Sequence, residues 1–430
     1  MNYSETLEFL YAQLPMYQRE GKAAYKANLD VTIKLDEHFR HPHQFYPTIH
    51  VAGTNGKGSV SHMIAAALQQ AGFRTGLYTS PHLLDFRERI RIDGEMITEK
   101  YVTNFVEDNQ RIIKELKPSF FEITAAMAFD YFARERVDVA VIETGMGGRL
   151  DSTNIINPIV SVITNIGLDH THFLGNTLDA VAREKAGIIK KETPVIVGEK
   201  QAETMEVFAE KSQELAAPVT NASDRFEILS ITSSAPFATQ KVTLYDRFIG
   251  EEFTWKIDLT GHYQAKNLVT VLATLDAIRD KFPVSDKDRE VALRKVRDKT
   301  GFRGRWDILD THPLTVADTA HNTEGLTIVM EQLNQLEFNK LHIVIGVVDD
   351  KNLSNILKLL PQSAAYYFTR SQIPRALNER ALRDKAYASG LHGESYENVA
   401  DALHAARASA GENDLIYIGG STFVVAEALT

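Results

Sequence analysis

The sequence predicts an α/β protein built on a P-loop-containing, doubly wound, mostly parallel sheet. A small antiparallel β region is added to it, and a smaller α/β domain follows. Three observations lead there. Apolar runs of strand length alternate with segments of helical period through the first half of the chain, the pattern of a parallel sheet covered on both faces. A glycine-rich turn, Gly53-Thr54-Asn55-Gly56-Lys57-Gly58-Ser59, joins one such strand to one such helix. The 430 residues are too many for one compact core, so two or three domains are expected.

Composition narrows the function. Hydrophobic residues make up 44% and charged residues 24%, as in a soluble globular protein. The formal net charge of −10 speaks against a general nucleic-acid binder but leaves room for a local basic pocket taking small anions. With no cysteine, disulfides and thiolate metal sites are excluded, and any metal must be held by oxygen or imidazole. The acidic, amphipathic start Met1-Asn2-Tyr3-Ser4-Glu5 is unlike a signal peptide. No apolar run approaches the ~18 residues of a membrane span. A cytoplasmic monomer without membrane or nucleic-acid partners is expected.

In chain order, strands are expected at 48–52, 75–79, 137–142, 159–164 and 194–197, with helices at 100–116, 123–134 and 178–189 between them. Short β-rich pieces over 226–259 read as an antiparallel meander added to the sheet. Helical period returns at 263–279, where Leu268, Val271, Leu272, Leu275 and Ile278 share one face, and again in the charged stretch 288–299. The run Thr300-Gly301-Phe302-Arg303-Gly304-Arg305 reads as a hinge. Strands at 306–309, 314–317, 341–347, 365–368 and 415–418, with helices between them, then form a second, Rossmann-like unit. The expected domains are 1–298 and 299–430.

The glycine-rich turn carries the first chemical signal. Unpaired backbone N–H groups at the positive end of a helix bind phosphate, and Lys57 adds a mobile cation. The ordinary pattern G-x-x-x-x-G-K-[ST] is only partly met, because Val51 and Gly58 stand where Gly and Ser or Thr belong. ATP is the expected ligand. Glu143 closes an apolar strand and is followed by Thr144-Gly145-Met146-Gly147-Gly148. Ligands of open α/β sheets lie outside the carboxyl ends of strands, so this carboxylate is expected beside the phosphates, holding Mg²⁺. Ser80 and His170 follow two further strands and are the other metal candidates, although a lone histidine is more often structural. By pattern alone Lys185 is an ordinary basic residue of a helix.

Six ordered segments carry more specificity. G-T-N-G-K-G-S (53–59), Y-T-S-P-H-L (78–83), E-R-I-R (88–91), G-M-G-G-R-L-D-S-T-N (145–154), G-L-D-H-T (167–171) and R-E-K-A-G-I-I-K (183–190) resemble those of the folylpolyglutamate and dihydrofolate synthases, which belong with the Mur ligases. The resemblance implies an ATP-dependent ligase that joins L-glutamate to dihydropteroate, to reduced folates, or to both, through an acyl phosphate. Gly53, Thr54, Asn55, Gly56, Lys57, Gly58 and Ser59 would hold the ATP phosphates. Ser80 and Glu143 would ligate one Mg²⁺, and His170 would help to hold a second. Lys185 matches the lysine that this family carries as a carbamate. Gln264 and Asn267 match a segment near the adenine, and Arg305 an arginine reaching the phosphates from the hinge. Asp318 and His321 match the D-G-A-H-N-P segment, with Thr319 and Thr323 in place of its Gly and Pro, and Asp350-Lys351-Asn352 resembles D-K-D. Lys57, Lys185 and His321 are the catalytic candidates. Phe121 and Asp151 are candidates for the pterin side, by stacking and by accepting hydrogen bonds.

Two rivals remain at this point. A Mur-type peptidoglycan precursor ligase would carry an extra N-terminal domain, for which the roughly fifty residues before the loop are too few. An ATP-hydrolysing switch protein would need no second set of residues beyond the hinge.

Overall fold

The computed structural model describes residues 1–14, 28–233, 238–349 and 353–430. The Asp350-Lys351-Asn352 segment lies outside the described residues. Eight strands form the first sheet: β1 (Thr48–Ala52), β2 (Thr75–Tyr78), β3 (Ile90–Ile92), β4 (Glu95–Met96), β5 (Val139–Glu143), β6 (Val160–Ile163), β7 (Val195–Val197) and β8 (Val219–Asn221). Their order is β4-β3-β2-β5-β1-β6-β7-β8. The six strands from β2 to β8 in that order are parallel, and only β3 and β4 run against their neighbours.

This order positions the site. Val51 pairs with Glu143 and Ala52 with Ile163, so β1 ends between β5 and β6, and everything following these three strands emerges along one edge. Both faces of the sheet are covered, so every residue of these three strands is buried, Thr48, His50 and Ser161 included. Val51, Val139, Val141 and Val162 pack with the helices Lys57–Gln70 and Gln264–Ala277, while Tyr78, Ala140 and Ile142 pack with Phe120–Arg134 on the other side.

The 226–259 region departs from expectation. Strands β9 (Phe226–Ser233), β10 (Gln240–Asp246) and β11 (Glu251–Ile257) form their own three-stranded antiparallel sheet instead of extending the large one. Val242, Leu244 and Ile257 bury its apolar face in the core around helix Lys57–Gln70. Two expected helices are broken. The stretch 100–116 divides into Glu99–Asp108 and Gln110–Leu116, where the Asn109 side chain donates to Phe105 O at 2.7 Å and competes with the helical ladder. The stretch 288–299 divides into Asp286–Leu293 and Val296–Thr300.

The second domain holds β12 (Asp307–Thr311), β13 (Leu314–Ala317), β14 (Leu341–Ile345), β15 (Ala365–Thr369), β16 (Gly393–Tyr396) and β17 (Leu415–Gly419), ordered β12-β13-β17-β14-β15-β16. Only β12 is antiparallel to its neighbour. The core of helices on one face includes Leu326, Val329 and Leu382; that on the other includes Val399, Ala402 and Val425. Among the described residues no helix is long and apolar enough to cross a membrane.

Candidate active site

The loop from Gly53 to Ser59 is shaped by contacts that only glycine permits. Gly53 has φ +151° and Gly56 φ +84°. A Cβ on Gly53 would lie 1.8 Å from Thr164 Oγ1, and one on Gly56 would lie 2.3 Å from Asn267 Oδ1. Neighbouring strand ends hold the loop from outside. Asn165 O accepts from Thr54 N at 2.9 Å, Asn165 Oδ1 accepts from Asn55 N at 2.8 Å, and Thr164 Oγ1 donates to Asn55 O at 2.6 Å. The loop is therefore preorganised before any nucleotide arrives. Gly56→Ala should weaken ATP binding by on the order of tenfold or more, because it adds backbone strain to a collision. Isothermal titration with a nonhydrolysable ATP analogue checks this, and unchanged affinity would remove the loop from the site.

Two lysines converge on this loop. Lys57 Nζ donates to Gly53 O at 3.1 Å and to Thr54 O at 3.3 Å, folded back over its own turn. Lys185 Nζ donates to the same Gly53 O at 2.7 Å and is 3% exposed. Burial pulls the Lys185 amine down to about 7, helped by the positive charge of Lys57 and opposed by Asp169 and Asp151. What reads as an ordinary helical lysine in the sequence is a buried amine under the phosphate loop.

Glu143 ends β5 and is 3% exposed. Its Oε2 accepts from Ser80 N at 3.1 Å, and Oε1 takes no donor from the described residues. Burial pushes its carboxyl up to about 7, against the pull of Lys57, the Ser80 N–H, Arg305 and Arg89. A desolvated carboxylate with open lone pairs beside a hydroxyl side chain suits a hard cation. Among the described residues no three of His, Asp and Glu stand together as a ready-made cage. His170 caps the short helix Thr171–Leu174 with φ +51°, and its N–H donates to Asp169 Oδ1 at 2.8 Å.

Beside Ser80, the loop through 81–89 is tied up by Glu88. Its carboxylate accepts from the N–H groups of Leu83, Leu84 and Asp85 at 2.8, 3.0 and 2.9 Å. Arg89 is buried, donates from Nε to His82 Nδ1 at 2.8 Å and lies 5.1 Å from the Phe120 ring centroid.

The second domain reaches back to the same edge. His321 Nδ1 lies 2.9 Å from Thr319 O, and its Nε2 lies 3.2 Å from Asp169 Oδ2. Asn322 Nδ2 donates to Asn55 Oδ1 at 2.9 Å. Asp318 is buried and accepts from Tyr263 OH at 2.5 Å, Trp306 N at 2.7 Å and Ala320 N at 2.7 Å. Burial raises its carboxyl above the ordinary range. Through these bonds Asp318 ties Trp306, next to the hinge, to Tyr263 of the preceding domain. Arg305 donates to Gly304 O at 3.3 Å, lines one pocket with Ser80, Glu143 and Thr422, and forms no ion pair among the described residues.

Other candidates are bonded to the protein's own groups. Gln264, expected near the adenine, is fully buried, donating to Ser59 Oγ at 3.1 Å and accepting from Asn267 Nδ2 at 2.8 Å. The pair braces the phosphate loop from behind. Asp151 accepts four hydrogen bonds, from Gly145 N (2.8 Å), Met146 N (2.9 Å), Thr153 N (3.0 Å) and Thr153 Oγ1 (2.5 Å). That is the full acceptor capacity of a carboxylate, so a pterin would compete for it with the chain's own donors. The Phe121 ring covers Gly145, where a Cβ would come within 2.5 Å of it. Asn165 and Asp169 are the residues that sequence reasoning missed. Both lie in the stretch after β6 that drew attention only for its histidine.

A preorganised phosphate loop facing a second α/β domain across a carboxylate-lined edge is the layout of a two-domain nucleotide-dependent ligase. The model of the Mur ligase middle domain matches residues 51–275, and that of the Mur ligase glutamate ligase domain matches 304–422. The dihydrofolate synthase/folylpolyglutamate synthase of Bacillus subtilis is 32% identical over 445 residues, covering 99% of this chain and 98% of the relative. The chain is also 32% identical to a probable bifunctional folylpolyglutamate synthase/dihydropteroate synthase of Haloferax volcanii, of which it spans 50%. Among solved structures, Mycobacterium tuberculosis folylpolyglutamate synthase complexed with ADP superposes with a TM-score of 0.87 at 29% identity, covering 99% of this chain and 97% of that one. Escherichia coli FolC in complex with DHPP and ADP gives 0.86 at 26%, covering 100% and 97%. The chain belongs to the folylpolyglutamate synthase/dihydrofolate synthase family of Mur ligases.

Proposed function

We propose that this protein joins L-glutamate to dihydropteroate, to reduced folates, or to both, at the expense of ATP. The domains divide at 298/299 in this reading, and the enzyme works as a cytoplasmic monomer. One observation carries the proposal: Lys57, Lys185 and Glu143 gather at the carboxyl edge of the first sheet, and His321 and Asn322 of the second domain close on that edge. The relatives' names supply the substrate class, including the DHPP and ADP of the E. coli structure.

A carboxylate resists amide formation because its leaving group would be an oxide. Transfer of the γ-phosphoryl group to one carboxylate oxygen breaks the bond to ADP and forms an acyl phosphate. The glutamate amine then attacks the acyl carbon, loses a proton, and phosphate leaves. Lys57 leaves the Gly53 and Thr54 carbonyls to meet the triphosphate. Glu143 and Ser80 would hold one Mg²⁺ and His170 would help to hold a second; bound there, these ions supply charge neutralisation for phosphoryl transfer. At neutral pH a Lys185 amine with its affinity lowered to about 7 is in large part unprotonated, the form whose lone pair adds to CO₂. The carbamate so formed replaces a cation by an anion under the loop. His321 is held between the Thr319 carbonyl and the Asp169 carboxylate, one at each ring nitrogen, which fixes the orientation in which the ring meets the reacting groups. Closure of the domains keeps water from the acyl phosphate. In this reading Phe121 and Asp151 stand on the pterin side, where the pterin's N–H groups would have to displace donors that Asp151 already holds.

ADP release measured with dihydropteroate or tetrahydrofolate, with and without L-glutamate, tests the reading. Release should require both the pteroate or folate acid and glutamate. Hydrolysis independent of the acid would favour a switch protein instead, and activity confined to uridine-linked precursors would favour a peptidoglycan ligase.

A further inference from the structure

The segment joining β11 to the helix Gln264–Ala277 is gripped from two sides by glutamine amides. From the three-stranded sheet, Gln240 Nε2 donates to Leu259 O at 2.7 Å and to Gly261 O at 3.0 Å, with the side chain fully buried. From the second domain, Gln332 Nε2 donates to Thr260 O at 2.9 Å and Gln332 Oε1 accepts from His262 N at 2.7 Å, with the residue 2% exposed. Gln332 thus bonds the backbone of this connecting turn with both ends of its amide, across the domain boundary.

The grip continues at both ends. Downstream of the segment, Gln264 bonds Ser59 and Asn267 abuts Gly56, so 260–262 and the phosphate loop belong to one hydrogen-bonded chain. Gln332 lies in the last turn of helix Thr323–Leu333, whose other end is docked as well. There Asn322 caps the helix and donates to Asn55 Oδ1, and Glu324 Oε1 accepts from Leu168 N at 3.3 Å. Two contacts about one helix length apart fix a direction as well as a point. Rotation of the second domain about the hinge is then limited by Gln332 at one end and the loop contacts at the other.

We infer that Gln332 is a positioning residue: through residues 260–262 and helix Thr323–Leu333 it sets the register in which the second domain presents His321 to the phosphate loop. It touches no substrate. Its kinetic consequence rests on the ligase reading, but its structural consequence does not. Buried amides making two backbone bonds each are costly to strand, and a misplacement of about 1 Å can cost as much as 10²-fold in rate.

The test uses the full chain and Gln332→Met, which keeps length and volume but removes both bonds, beside Gln332→Glu, which keeps an acceptor for the His262 N–H. With ATP, glutamate and dihydropteroate or tetrahydrofolate, Gln332→Met should lower ligation kcat on the order of tenfold. The KM for ATP should move less than threefold, and ADP released per ligated glutamate should rise above one. Gln332→Glu should fall between Met and the parent. A purely structural residue would lower the active fraction and leave kcat per active site and the ADP ratio untouched, which would overturn the inference. Hydrogen exchange supplies a readout free of catalysis: in Gln332→Met, peptides spanning 53–59 and 319–333 should exchange faster, beyond the 260–262 segment itself. Acceleration confined to 260–262 would also overturn it. A parent protein that fails to ligate glutamate would reject the ligase reading, and the exchange result would still decide the role of Gln332.

Discussion

Lys57→Ala should lower ligation turnover by on the order of 10²-fold or more, while leaving the protein folded. In the proposed reaction Lys57 is the mobile cation of the loop, and its bonds to Gly53 O and Thr54 O are the ones it would exchange for phosphate oxygens. Loss of one preorganised donor to developing charge typically costs about 10²–10³-fold. The fold should survive because the side chain is only partly buried and contributes nothing to the cores. Steady-state kinetics with saturating ATP, paired with a thermal melt, separates the two. Parental turnover in the variant would place the reacting phosphate elsewhere.

Glu143→Gln should cost at least as much, on the order of 10²-fold or more, since losing a group that only supports a metal ligand already costs about 10–100-fold. The pH behaviour gives a sharper test. In the free protein the Glu143 carboxyl titrates at about 7, raised from 4.5 by burial. Below that point a proton occupies the site a divalent cation would take. Apparent Mg²⁺ affinity should therefore climb about tenfold per pH unit up to about 7 and level off above it. The sign for stability is opposite. The folded form holds a proton that the unfolded form has lost between 4.5 and about 7, so this group's contribution to stability falls as pH rises through that window. Glu143→Gln should flatten both trends. An unaltered Mg²⁺ profile in the variant would take Glu143 out of the cation site.

The parts of the site legible in the sequence are those with a local physical signature. Gly53 and Gly56 stand out because the loop needs backbone angles and close approaches that other residues refuse. Glu143 stands out because an apolar strand ends on a carboxylate. The unread parts are made by distant pairs. His321 meets Asp169, Asn322 meets Asn55 and Gln332 meets Thr260, and no periodicity links either member of such a pair to the other. Strands β4, β8 and β16 escaped notice because they are two to four residues long and edge their sheets, where a strand needs little apolar character, and β3 because it is only three residues long. Asp151 shows a different case: its bonds to Thr153, two residues on, are a local turn pattern that the sequence carries and that went unread.

Glu88 binds three consecutive amides of the segment beside Ser80, so that segment already owns its internal order. The conformational entropy of this backbone is therefore given up during folding, and a ligand meeting it finds a stretch that is already ordered.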